Sequence, residues 1–163
     1  MSIQADITSQ IFVIETLDLP GSGRPVVRHD AFKLTQSYSD TTTPVGSKVV
    51  SGIIALTAGA ATLNLAALAG TQGTIDGTGL KVRSFWIKNL REDGTANANS
   101  VTIGPGASNG YNVFGSASGL VTLGPGDVAH WTPQAAQTIA SGDRNIDFAG
   151  TGTDSFQFVL ILG

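Results

Sequence analysis

The segment Asp154–Gly163 alternates polar and apolar residues and then becomes apolar at every position up to Leu162. Because successive side chains of a strand point to opposite faces, this alternation predicts a β-strand with one buried face. The residues of that face are Phe156, Phe158, Leu160 and Leu162. From Val159 onward the opposite face is apolar as well, so we expect this part of the strand to be covered on both sides.

Turn signals rich in Gly, Pro and Asn recur at short intervals between such strands. They are Gly104-Pro105-Gly106, Asn109-Gly110, Gly124-Pro125-Gly126, Ser141-Gly142-Asp143 and Gly150-Thr151-Gly152. Short strands with a turn about every 8–12 residues are typical of sandwiches and barrels. We therefore predict an all-β fold, either a β-sandwich or a β-barrel.

The chain shows no linker, and its length suits one domain with a real core. Residues 1–10 are polar and unpatterned, so we expect an N-terminal arm or edge segment there and a single sandwich domain over residues 11–163. For Ala60–Gly70 the sequence leaves two alternatives: a short helix or 3₁₀ turn, or a strand through Leu63 and Leu65 followed by a turn. Further strands are predicted at Ile11–Leu17, Val26–Tyr38, Ser47–Thr57, Leu80–Arg91, Val101–Ile103, Tyr111–Phe114, Leu120–Leu123, Val128–Trp131 and Asn145–Phe148.

The apolar phase of the predicted central strand Leu80–Arg91 changes at Ser84. Val82 and Trp86 share one parity, whereas Phe85 and Ile87 share the other. This pattern indicates either a β-bulge at Ser84 or a strand covered on both faces beyond it. Two-faced apolar strands in a charge-poor chain also predict an oligomer held by apolar contacts.

Composition excludes several classes of protein. Charged residues make up 13% of the chain, about half of the usual share, and the net charge is −3. The nine basic residues are scattered from Arg24 to Arg144, so a nucleic-acid footprint is absent. No apolar run or basic amphipathic segment predicts a membrane contact. The absence of Cys and of a signal-peptide pattern leads us to expect synthesis in a cytosol.

Metal and cofactor chemistry has few candidates. His29-Asp30 and Asp127 with His130 are the His-carboxylate neighbours, and a zinc site takes three or four ligands. The Gly-rich segments Gly73–Gly79 and Gly104–Gly110 lack the Gly-Lys-Ser/Thr of a phosphate loop. We read these segments as turns that need positive φ and expect neither a metal nor a cofactor.

Catalytic chemistry has no convergent set of residues either. A Gly-x-Ser-x-Gly elbow is missing, and acids such as Asp147 and Asp154 are expected at turns or strand ends, in solvent. We therefore predict a protein that is not an enzyme, with no catalytic, cofactor or metal residues.

Three aromatic residues are candidates for stacking on a sugar. Trp86 lies on the central strand, which favours a place in the core. Trp131, one residue before Thr132-Pro133, is open between core and surface, and Tyr111 is the third candidate. Exposed aromatic side chains on a groove would favour carbohydrate binding.

From about Leu65 onward, a succession of turn and strand motifs resembles small β-sandwich virion structural proteins of tailed bacteriophages. The motifs are Leu68–Val82, the strand Phe85–Asn89 ending in Lys-Asn, Asn99–Gly104 with its Val-Thr-Ile-Gly, the Leu-Gly-Pro-Gly-Asp turn Leu123–Asp127, and the apolar strand after Gly150-Thr151-Gly152. The resemblance covers roughly the last 95 residues. It consists of structural turns, so it carries over no catalytic residue.

With this resemblance we predict an antiparallel β-sandwich of jelly-roll type. The resemblance implies a capsid decoration or minor capsid protein, with a trimer favoured, which binds other virion proteins and is located in the virion. The arm Met1–Gln10 is then the expected anchoring element, because such arms order on docking. The alternative is a carbohydrate- or host-surface-binding module of a tail fibre, with Trp131 and Tyr111 as its binding residues. A small β-barrel enzyme is a third option and needs a cleft with convergent acids.

Overall fold

The computed structural model of the chain describes residues 3–11, 14–16, 26–28, 32–41, 45–70, 73–133 and 136–163. Within these ranges the regular elements are antiparallel β-strands, which confirms the all-β prediction. None of the described residues forms a helix long and apolar enough to cross a membrane. The strands are β1 (Gln4–Ile11), β2 (Ile14–Thr16), β3 (Val26–Arg28), β4 (Phe32–Ser39), β5 (Lys48–Ala55), β6 (Ala60–Asn64), β7 (Leu68–Gly70), β8 (Gly73–Ile75), β9 (Val82–Lys88), β10 (Val101–Pro105), β11 (Val121–Leu123), β12 (Val128–Trp131), β13 (Asn145–Ala149) and β14 (Ser155–Leu162).

The chain divides into two compact units, Met1–Val45 and Gly46–Gly163. The first unit contains two two-stranded antiparallel sheets: β1 pairs with β4 over eight residue pairs, and β2 pairs with β3 over three. We call the β1–β4 pair the ribbon. The sequence predicts an arm over residues 1–10 and a single domain over residues 11–163. In the structure, residues 4–10 belong to β1, a paired strand of the first unit. Its partner strand lies about thirty residues onward, so a local sequence pattern does not reveal the pairing.

The second unit contains two four-stranded antiparallel sheets, with strand orders β5-β14-β9-β12 and β6-β13-β10-β11. A short hairpin, β7-β8, accompanies them. Both sheets contribute side chains to one hydrophobic cluster, an arrangement consistent with a β-sandwich. The largest fully buried side chains of this unit are Tyr111, Phe85, Phe148, Phe156, Leu65, Leu68, Ile87, Ile103, Ile139, Ile146 and Leu160.

Strand β14 forms the middle of its sheet, between β5 and β9. The predicted facing of its alternating residues is confirmed, because Phe156, Phe158, Leu160 and Leu162 are all buried. The expected cover on the other face is incomplete, since Ile161 is buried but Val159 keeps 38% of its surface exposed.

The β-bulge alternative for the central strand is confirmed. The register between β9 and β14 shifts by one residue, from Ser84 opposite Ile161 to Val82 opposite Leu162. The extra residue lets Val82 and Phe85, which differ in parity, both face the core. The doubled apolar phase of this strand is therefore accounted for within the chain, and by itself it requires no partner.

The predictions for two other segments have opposite outcomes. The strand alternative for Ala60–Gly70 is confirmed by β6, but the strand ends at Asn64, before Leu65, and a second strand, β7, follows the turn. The predicted strand Tyr111–Phe114 is wrong, although Tyr111 and Val113 are both buried as alternation requires. The backbone bends there, because the Val113 amide donates to the carbonyl of Tyr111 and leaves no ladder to continue.

Candidate functional site

Several of the motifs that carry the phage-like pattern meet at Asn89, the residue that follows β9. The side chain is fully buried, and the two hydrogens of its Nδ2 are shared among the carbonyls of Asn99, Leu123 and Gly124, at 2.9, 3.1 and 2.8 Å. Its Oδ1 accepts from Asn97 Nδ2 at 2.7 Å. One amide thus ties the loop between β9 and β10 to the turn between β11 and β12, and the Lys-Asn, Asn99–Gly104 and Leu123–Asp127 motifs are parts of one structural clamp.

The Leu-Gly-Pro-Gly-Asp turn is shaped by its own residues. Gly126 has a φ of 78°, which a side chain would strain. Asp127 Oδ2 accepts from the Gly124 amide at 2.7 Å and closes the turn. Asp127 and His130 have separate roles, since the carboxylate closes this turn while the imidazole bonds to Ser84. His29-Asp30, the other pair considered as ligands, lies outside the described residues.

The acids considered for catalysis also serve local structure. Asp147 lies within β13, not at a turn, and accepts from Thr62 Oγ1 at 2.6 Å and from the Ala107 amide at 2.9 Å. Asp154 Oδ2 accepts from Asn99 Nδ2 at 3.0 Å. Among the described residues, no three His, Asp or Glu side chains are grouped so as to hold a metal ion.

Two of the three aromatic candidates belong to the interior or border it. Tyr111 is fully buried, and its hydroxyl donates to the carbonyl of Gln137 at 2.6 Å while accepting from the Val82 amide at 3.1 Å. Trp131 packs against the core, with its ring centroid 5.9 Å from that of Phe85 and 4.8 Å from that of Phe114. The position of Tyr111 leaves it no surface on which a sugar could stack.

Trp86 is the residue for which the sequence prediction is wrong. Its indole lies half-buried outside the core cluster, because the bulge turns Phe85 inward and Trp86 to the opposite face of the sheet. Register places it in a row across the sheet with His130 on β12, Val159 on β14 and Ser51 on β5. We call this side of the sheet the Trp86 face.

The indole of Trp86 is held by its neighbours on β9 and β12. The imidazole of His130 stacks on it, with ring centroids 4.1 Å apart and planes inclined by 18°. His130 Nε2 is hydrogen-bonded to the hydroxyl of Ser84 at 2.9 Å, and Ser84 is fully buried. This chain of contacts fixes the imidazole, and through it the indole.

Beside the indole lies an open hollow of about 360 Å³. The lining residues come from β5, β9 and β14 and from the loop after β9. They are Ser51, Gly52, Ile53, Trp86, Lys88, Glu92, Gln157, Phe158 and Val159. Apolar and polar side chains thus face one another across the Trp86 face, which we take as the candidate binding surface of the second unit.

The contacts of His130 predict a pH dependence of stability. Burial lowers the pKa of His130 below its ordinary value of 6.5, because burial penalises the charged imidazolium. The unfolded chain then binds the proton more readily, so the free energy of unfolding falls as the pH drops through about 6.5 towards the lowered pKa of the folded state. Above about pH 7 this contribution is fully present.

The measurement is the thermal midpoint of unfolding at about pH 7.5 and about pH 5.5, around the ordinary His pKa. On acidification we expect the thermal midpoint of the wild-type protein to fall by more than that of His130→Gln, because glutamine does not titrate. An equal fall of the thermal midpoint in both proteins would show that His130 is not the cause of the pH dependence.

Comparison of the chain with protein-family models, with curated proteins and with solved structures finds no match.

Proposed function

We propose that this chain is a non-enzymatic structural component of a bacteriophage virion, a decoration or cement protein of the capsid that acts as a homotrimer. In this proposal it is made in the host cytoplasm, is located in the virion, and binds other virion proteins rather than nucleic acid or membrane. Support comes from the phage-like motifs that form the Asn89 clamp, from the connectivity of the sheets, and from the surface of the ribbon.

The connectivity supports a fold of jelly-roll type. Successive strands alternate between the two sheets from β5 to β6, from β9 to β10 and from β11 through β12 and β13 to β14, while β10 and β11 stay neighbours in one sheet. Two four-stranded sheets wound in this way correspond to the eight strands of a double Greek key. Viral capsid and lectin domains share this architecture, so it favours the proposal but does not decide it.

The amphipathic ribbon of the first unit is the observation that carries the proposal. One of its faces is polar throughout, with Gln4, Asp6, Thr8 and Gln10 on β1 and Lys33, Thr35, Ser37 and Ser39 on β4. On the opposite face, Ile7 and Tyr38 are buried, whereas Ile11 and Leu34 keep 60% and 44% of their surface exposed. The apolar face of the ribbon therefore continues past the part that is covered.

Such a ribbon has reason to dock on another protein. A two-stranded ribbon is marginally stable by itself in water. Covering Ile11 and Leu34 gains about 25 cal/mol per Å² of apolar area, before the costs of association. We therefore propose the ribbon, and not an arm of residues 1–10 alone, as the element that joins copies of the chain and attaches them to the shell.

The test uses shells purified without this protein. Full-length protein is expected to bind them and to raise the temperature at which they are disrupted. The double variant Ile11→Ser, Leu34→Ser should lose at least about tenfold in affinity, since about 1.4 kcal/mol corresponds to that factor. It should also give a smaller particle in light scattering.

The matched control is Gln10→Ser, Thr35→Ser, which changes one neighbour of each residue on the polar face. We expect it to bind like the wild type. Equal binding of both double variants would refute the ribbon as the anchor, and failure of the full-length protein to bind any shell would refute the capsid function.

A further inference from the structure

The Trp86 face shows an aromatic side chain that the fold holds in place without burying it. Ser84, with no exposed surface, bonds to His130, and His130 stacks on the indole. The imidazole lies on the β12 side of Trp86, whereas the hollow lies on the side of β14 and β5. The indole therefore stands between a rigid support and an open space, as a pre-positioned platform.

Polar groups surround this platform. Gln157 donates its Nε2 to the carbonyl of Arg91, which orients the side chain and leaves its Oε1 to accept from a ligand. Ser51, Lys88 and Glu92 also line the hollow, and all three are exposed. Together these residues present donors and acceptors of hydrogen bonds beside an aromatic ring and the apolar side chains of Ile53 and Val159.

A ring that is apolar on its flat side and rich in hydroxyl groups at its edge has the complementary chemistry. Its C–H groups pack against an indole, and its hydroxyls bond to side chains such as Gln157 and Ser51. Lys88 and Glu92 balance one another in charge, so the hollow does not favour an anion or a cation. The volume of about 360 Å³ falls within the range of small-molecule sites and accommodates one such ring.

We propose that the Trp86 face is a binding site for a neutral hexopyranose, held by stacking on Trp86 and by hydrogen bonds to Gln157 and to the polar residues around it. This site does not rest on the capsid attachment proposed above, because every residue that lines it belongs to the second unit. It would give the particle a contact with surface sugars in addition to its structural role.

The experiment titrates the full-length protein with the methyl glycosides of glucose, galactose and mannose and follows amide and indole signals by NMR. At least one glycoside is expected to bind saturably with a Kd on the order of 1 mM, as for a small and open site. The perturbed signals should be those of Trp86, Gln157 and Ser51. Trp86→Ala should weaken binding by at least about tenfold.

Two further variants separate binding from folding. Trp131→Phe removes the other tryptophan, which lies outside the hollow, and should leave the affinity unchanged. Gln157→Ala should weaken binding several-fold while the spectrum of the fold is retained. The proposal is overturned if none of the glycosides binds, if binding persists in Trp86→Ala, or if the perturbed signals lie away from the Trp86 face.

Discussion

Replacing Asn89 with alanine is expected to lower the free energy of unfolding by about 3–5 kcal/mol, because several buried polar groups lose their partner at once. The carbonyls of Asn99, Leu123 and Gly124 each accept from its Nδ2, and Asn97 donates to its Oδ1. Asn97 is itself only 2% exposed, so water cannot readily replace the lost partner. Chemical denaturation of the wild type and the variant measures the difference.

Ser100→Ala is the control for this prediction. Ser100 is exposed and directly follows Asn99 in the same loop, so the loss of its hydroxyl should change stability by no more than about 0.5 kcal/mol. A similar small effect of Asn89→Ala would mean that the two loops do not depend on the clamp. The phage-like motifs would then need another explanation.

Phe158→Ala is expected to lower the free energy of unfolding by about 3–5 kcal/mol, the usual effect of removing an aromatic side chain from a core. Phe158 lies in the middle of β14, is 7% exposed and belongs to the hydrophobic cluster. The matched control is Gln157→Ala on the opposite face of the same strand. It removes one hydrogen bond to the carbonyl of Arg91 and should cost about 1 kcal/mol.

The comparison of these two variants tests the facing of β14 directly. A slip of one residue in the register would exchange the buried and exposed faces. Equal costs in equilibrium unfolding would therefore contradict the assignment of Phe158 to the core.

The elements that could be predicted from the sequence are those with a complete local pattern. In β14 every second residue from Phe156 to Leu162 is apolar and buried, and the same period places Val50 and Ile54 of β5, with Leu56 just after it, in the core. A side-chain period of two needs no knowledge of the partner strand, because it fixes the two faces on its own. The change of apolar phase at Ser84 likewise indicated the bulge as one of two alternatives.

The facing of Trp86 could not be obtained in the same way. The sequence shows that the phase changes, but whether Trp86 or Phe85 faces the core depends on the sheet that covers β9. A tryptophan on a central strand favours the core on average, and here Phe85 and Ile87 occupy it. The stack of His130 on Trp86 joins residues 44 positions apart, and its hydrogen bond with Ser84 joins residues 46 positions apart, so no local pattern predicts the candidate site.

The sequence did not predict the β1–β4 ribbon or the Asn89 clamp, for a related reason. Ile7 and Gln36 face each other from strands that are distant in sequence, and the polar character of residues 1–10 reflects one face of a strand whose other face is largely apolar. The sequence offered one indication of the role of Asn89, its position at the end of the Lys-Asn motif of the central strand. Its partners at Leu123 and Gly124 lie 34 and 35 residues onward.

The most direct test of the central claim is the protein content of intact phage particles that have been purified and washed in high salt. Salt screens contacts between exposed charges but leaves apolar contacts in place, so a protein anchored through Ile11 and Leu34 should remain bound. Quantitative mass spectrometry should then find this chain at a fixed ratio to the major shell protein. Its presence in the lysate together with its absence from the washed particles would contradict the account.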